Sequence, residues 1–119
     1  MAVESKKYNL SEVQNTSNER PSVGLIVLNT DFTFERDFVR MYSEQKPNFD
    51  FYFNRIHFAN PMTPESLAAI GDDLTEASAG ILPGYDLDLV VFNCTSSSSI
   101  VGDDAIENAI QESKPTAKV

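Results

Sequence analysis

The chain has 119 residues and 13.2 kDa, 41% hydrophobic and 23% charged, a composition that builds one globular domain and leaves no material for a second core. Eighteen acids against nine Lys and Arg give a formal charge of −9 and a pI near 4.4, the wrong sign for holding a phosphate backbone or an anionic membrane surface, so no nucleic acid partner and no membrane association are expected. No apolar run approaches the roughly 20 residues of a bilayer crossing, the first twenty residues lack a signal-peptide core, and the reading is a cytoplasmic protein whose one cysteine, Cys94, forms no internal disulfide and no Cys-rich metal site.

In chain order, residues 1–21 are polar, without helical or strand periodicity, and read as a flexible leader. SVGLIVLN, from Ser22, is a nearly continuous apolar run closed by Asn29-Thr30-Asp31, the pattern of a strand buried on both faces. Through FTFERDFVRMYSEQ, Phe34, Phe38 and Met41 recur at helical spacing. Asp31 or Thr33 is placed to cap that helix, and Pro47 closes it. FDFYFNRI then gathers aromatics as strands do.

From His57 to Pro64 two closely spaced prolines predict a loop, and Thr63-Pro64-Glu65 opens a helix carrying Leu67, Ile70, Leu74 and Ala77 on one face until Pro83-Gly84. LDLVVFNC is a third strand, followed by the hydroxyl run Thr95 to Ser99. Gly102-Asp103-Asp104 begins a last helix, DAIENAIQES. The order β-α-β-α-β-α predicts an incomplete flavodoxin-like α/β domain over residues 22–119: three parallel strands, right-handed crossovers, helices on both faces. The third strand reads as doubly buried yet has no fourth strand beside it. The domain is therefore expected to be either half of a larger sheet or one whose bare edge is covered by a second copy in a homodimer.

Ligands of open parallel sheets bind beyond the carboxyl ends of the strands. The residues brought there are Asn29, Thr30 and Asp31 after the first strand, Arg55 to Asn60 after the second, and Cys94, Thr95, Ser96 and Ser97 after the third. A thiol at a strand end, before a turn and a helix start, meets free amides that favour thiolate and oxyanion. Cysteine is also among the most buried residue types, and the plainer reading of Cys94 is the end of a core strand. Arg55 is placed to pair with an anionic substrate or to sit as a surface cation. His57 has no partner fixed by spacing. No phosphate-loop, dinucleotide, zinc-protease or calcium-loop motif occurs, so no cofactor and no metal are expected.

Three segments, GLIVLNTDFTFERDF at 24–38, RIHFANPMTPESLAAIGDDL at 55–74 and LDLVVFNCTSSSSIVGDDAIENAI at 87–110, resemble the amino-terminal half of the aspartate/glutamate racemase superfamily. Within it the likeness is to the maleate isomerase and arylmalonate decarboxylase group, and to its ectoine-utilisation protein A branch. It covers nearly everything after Pro21, and Cys-Thr-Ser after an apolar strand is its most specific element. The resemblance implies a cofactor-independent enzyme of two pseudo-symmetric halves with the active site between them. Cys94 would act as nucleophile or proton carrier at a carbon next to a carboxylate. Thr95 and Ser96 would hold that carboxylate, and Asn29 and Thr30 would orient the rest of a small carboxylate substrate; the residue pattern by itself adds Ser97, from the hydroxyl run, and Arg55 to the substrate-binding set. The resemblance further implies isomerase, racemase or decarboxylase chemistry in ectoine or hydroxyectoine degradation, with little turnover expected from one half alone. The alternative from the residues is a non-catalytic flavodoxin-like module that binds a ligand or serves as a scaffold.

Overall fold

The computed structural model describes residues 20–58 and 63–119. The leader up to residue 19 and the Ala59-Asn-Pro-Met62 part of the predicted loop lie outside them. Three strands, β1 (Ser22–Leu28), β2 (Asp50–Ile56) and β3 (Leu89–Asn93), form a parallel sheet in the order β2-β1-β3. Between and after them come α1 (Phe34–Gln45), α2 (Pro64–Ala79), α3 (Thr95–Val101) and α4 (Asp103–Ser113). This is the expected incomplete flavodoxin-like α/β arrangement, with one helix more. The hydroxyl run read as a turn is α3, in which Ser99 Oγ donates to the Thr95 carbonyl at 3.0 Å, a back-bond that lets serine sit inside a helical turn.

β1 pairs along its whole length with β2 and over five residues with β3, so Val27 lies level with both Arg55 and Asn93. Being central and covered on both sides, it buries Val23 to Val27 without a break. The alternation of its side chains then divides the interior in two. Ile26, with Ile56 and Val90, faces the main core, which α2 supplies with Ile70, Leu74 and Ala77 and α4 with Ile106, Ala109 and Ile110. Gly24 lies where the chain needs no side chain: a Cβ there would stand 2.9 Å from Leu87 Cδ1 and 3.1 Å from Ile81 Cδ1. Full burial of a residue such as Leu74 or Ile26 stabilises by about 1.5–3 kcal/mol before the entropy of ordering it is counted.

The other interior face is built from rings. Phe38 stands edge-on to Phe51 and Phe53, with centroids 4.9 and 5.8 Å away, and Tyr42 packs on Phe51 at 4.7 Å. The inward stripe of α1 is thus Phe34, Phe38, Tyr42, an i, i+4 series. Met41, expected on that stripe, is 58% exposed, because helical advance carries position 41 past the sheet while position 42 falls back onto it. Tyr42 hydroxyl donates to the Phe49 carbonyl and accepts from Arg20 Nη2 at 2.9 Å. The same Arg20 nitrogen donates to Phe49 O at 2.9 Å. Arg20 and Pro21, at the end of the expected leader, are therefore tied into the fold; the Pro21 carbonyl also accepts from Asp50 N.

Helix starts follow their chemistry. Thr63 and Ser66 form a reciprocal capping box on α2, Ser66 N donating to Thr63 Oγ1 at 3.1 Å and Thr63 N to Ser66 Oγ at 2.8 Å, with Pro64 in the first turn. At the outer edge of β3, Val90 N donates to the Lys118 carbonyl at 2.8 Å and Lys118 N to the Asp88 carbonyl at 3.1 Å. This single parallel bridge covers the first step of the edge that the sequence left open.

Two buried polar groups stand out. Lys114 is 2% exposed, and its Nζ donates to the Leu82 carbonyl at 3.1 Å and the Tyr85 carbonyl at 2.6 Å, clamping a turn in which Leu82 adopts φ 43°. Desolvation holds its ammonium below the ordinary lysine pKa, with Asp86 acting weakly the other way. Replacing it with Met keeps the stem but strands two carbonyls, so Lys114→Met is expected to lose about 1–3 kcal/mol in urea unfolding. Ser78 is fully buried and its Oγ has no hydrogen-bond partner among the described residues. Ser78→Ala removes that unsatisfied group and improves helix propensity, and a gain of about 1 kcal/mol is the expected result of the same measurement.

Candidate active-site cleft

Register brings the three strand ends level, and the chain leaving each end decides what lies there. After β1, Asp31 Oδ1 accepts from Thr33 N and Phe34 N, both at 2.9 Å, and so starts α1 from two residues ahead of Thr33. These two amides, Phe34 first, hold its carboxyl below the usual carboxylate range. After β2, Arg55 Nη1 donates to the carbonyls of Asp31 at 2.7 Å and Leu28 at 2.9 Å, while Nη2 lies 3.1 Å from Glu35 Oε1. Asn29 joins the same lattice: its Oδ1 accepts from Phe58 N at 3.2 Å, and Nδ2 lies 3.3 Å from His57 Nδ1. Arg55 and Asn29 thus brace the β1–α1 and β2–α2 connections with the very groups the sequence reading offered to a substrate. Thr30 is exposed.

After β3 the arrangement differs. Cys94 ends the strand in an extended conformation, φ −147° and ψ 96°, and stands at the cap position of α3 without giving the helix a side-chain cap. A cleft of about 750 Å3 opens beside it, walled by Phe92, Cys94, Thr95 and Ser98 on the β3–α3 side and by Phe34 and Asp103 from the starts of α1 and α4. Gly102, at φ 92°, makes the turn between α3 and α4 that brings Asp103 round to this opening. The thiol is 8% exposed and hydroxyls lie beside it: Sγ donates to Ser97 Oγ at 3.1 Å, and Ser96 Oγ lies 3.8 Å away.

Of the residues singled out from sequence, Cys94 and Thr95 line this cleft. Ser97 lies behind the thiol at 1% exposure, Ser96 is exposed, and Arg55 lines a separate depression of about 420 Å3 with His57, Asp73 and Glu76. The walls outside the candidate set are Phe34, Phe92, Asn93, Gly102 and Asp103, together with Ser98 and Ser99 of the hydroxyl run. Helical spacing gave a signal for Ser98, one turn on from Cys94. Nothing local could announce Asp103, which depends on the sharp turn at Gly102.

Chemically, this is a thiol among hydroxyls, with two aromatic walls. Among the described residues no group of three His, Cys, Asp or Glu side chains is placed to hold a metal ion, and no helix is long and apolar enough to cross a membrane. No family model, no curated protein and no solved structure matches the chain.

The Asp31 turn sets one wall of the cleft through Phe34. A carboxyl whose folded pKa is depressed contributes stability that is present above its unfolded value, about 3.9, and lost as pH falls through its folded value. Asp31→Ala is therefore expected to be less stable than wild type at pH 7, with the difference shrinking in urea titrations carried below about pH 4.

Proposed function

We propose that this chain is the Cys94-bearing face of a cofactor-independent isomerase, racemase or decarboxylase that acts on a small carboxylate. The observation that carries the reading is a strand-end thiol that borders an open cleft and is bonded to a hydroxyl, where a purely structural cysteine would be wrapped in aliphatic groups. The resemblance of residues 24–38, 55–74 and 87–110 to the aspartate/glutamate racemase superfamily agrees with it, and extends it to ectoine or hydroxyectoine breakdown.

In the proposed step a base takes the proton, or decarboxylation takes the carboxyl group, from the carbon beside a carboxylate. The electron pair spreads onto the carboxylate oxygens as an enediolate. Cys94 S–H then gives its proton to that carbon: the S–H bond breaks, a C–H bond forms from the enediolate pair, and sulfur keeps the charge. Thr95 and Ser98, whose residues line the cleft, offer hydroxyl donors for the developing oxyanion, a service worth several kcal/mol when donors are fixed in advance. The superfamily pattern sets a second α/β half, with its own proton carrier, against this cleft, so slight or no turnover is expected from these residues alone.

A second reading, a non-catalytic ligand-binding module, draws on the use of Asn29 and Arg55 as internal braces. Alkylation of Cys94 by iodoacetamide separates the two. Under the catalytic reading, the thiol is open to the reagent and millimolar small carboxylates slow its alkylation severalfold. A thiol that resists alkylation in the folded chain, or alkylation indifferent to every carboxylate tried, would defeat that reading. Carboxylate binding that survives Cys94→Ser unchanged, with no protection of the thiol, would establish the module.

A further inference from the structure

Building on the proposed role of Cys94, we infer that Ser97 is the positioning residue of that thiol, fixing where the sulfur points, and is not a substrate-holding hydroxyl. Ser97 is 1% exposed and does not line the cleft, so a bound molecule does not reach its side chain. Serine within a helix commonly returns its hydroxyl proton to the backbone one turn earlier, as Ser99 does to Thr95. Ser97 stands one turn on from the helix cap and meets Cys94 Sγ instead, at 3.1 Å.

A hydroxyl suits both protonation states of its neighbour. While sulfur carries its proton, S–H donates to Oγ. Once the proton has left for a substrate carbon, the Ser97 O–H rotates and donates to S⁻. Neither partner moves, and the negative sulfur is met inside the protein by a donor already in place, where such a bond counts for more than in water. Ser96, at 3.8 Å and exposed, is too far to do the same. The hydroxyl run after Cys94 thus divides its labour: Thr95 and Ser98 face the cleft, and Ser97 faces the sulfur.

The test is the pH dependence of iodoacetamide alkylation of the full chain in wild type, Ser97→Ala, Ser97→Thr and Ser96→Ala, each first checked for cooperative unfolding. Loss of a bond of this kind to the thiolate raises the midpoint by about one pH unit, which is about a tenfold slower reaction at pH 7 for Ser97→Ala. Ser97→Thr recovers most of the rate, and Ser96→Ala matches wild type. An unchanged midpoint in a folded Ser97→Ala overturns the inference. Should that variant not fold, the S–H stretching band of the wild-type chain in Raman spectra decides: a band lowered relative to a free thiol supports the bond, and an unlowered band refutes it. Carboxylate protection of Cys94 is measured in the same series. Its absence, with the midpoint shift present, removes the catalytic reading and leaves the Ser97–Cys94 pairing standing.

Discussion

The parallel pairing of β1 with a neighbour on each side is the constraint from which the molecule is built. Ladder hydrogen bonds leave a central strand no freedom of register, and burial of both its faces penalises any one-residue slip, which would exchange Ile26 for Leu25 at the main core. With that register fixed, three chain reversals occur at one level. The cleft exists because the reversals after β1 and β3, and the later turn at Gly102, leave space between Phe34, Cys94 and Asp103.

The same level edge shows how polar groups divide between holding a protein together and facing outward. Asn29, Asp31 and Arg55 satisfy backbone amides and carbonyls in the connections that leave the sheet. Thr95 and Ser98 have no such duty and remain at the opening. Residue type does not distinguish these roles. An arginine beside a carbonyl-rich turn and an arginine awaiting an anion look alike until the carbonyls are located.

Much of the architecture was legible in the residues. The apolar runs at Ser22 and Leu87, the aromatic run at Phe49, the Thr63-Pro64 helix start and the Ile70-Leu74-Ala77 stripe each carry a local physical signal, and each element lies where that signal put it, to within a few residues. Met41, read at helical spacing with Phe34 and Phe38, lies outward, because ring packing and the Arg20 contact draw its neighbour Tyr42 in. Helix α3 was missed because serine and threonine weigh against helix until their hydroxyls find backbone carbonyls one turn back. Lys114 was unreadable as a buried residue, since its carbonyl partners lie some thirty positions away. At the site, the position of Cys94 at a strand end followed from the apolar run before it. The use of Arg55 as a brace followed from nothing in its own neighbourhood.

Helix α1 has no fully buried residue, whereas α2 contributes four and α4 three. Amide exchange with solvent should accordingly be graded, fastest in α1 and slowest in β1, with the aromatic layer breathing before the aliphatic one yields. Because Phe34 opens α1 and also walls the cleft, each such excursion uncovers the sulfur's surroundings while the sheet behind stays shut.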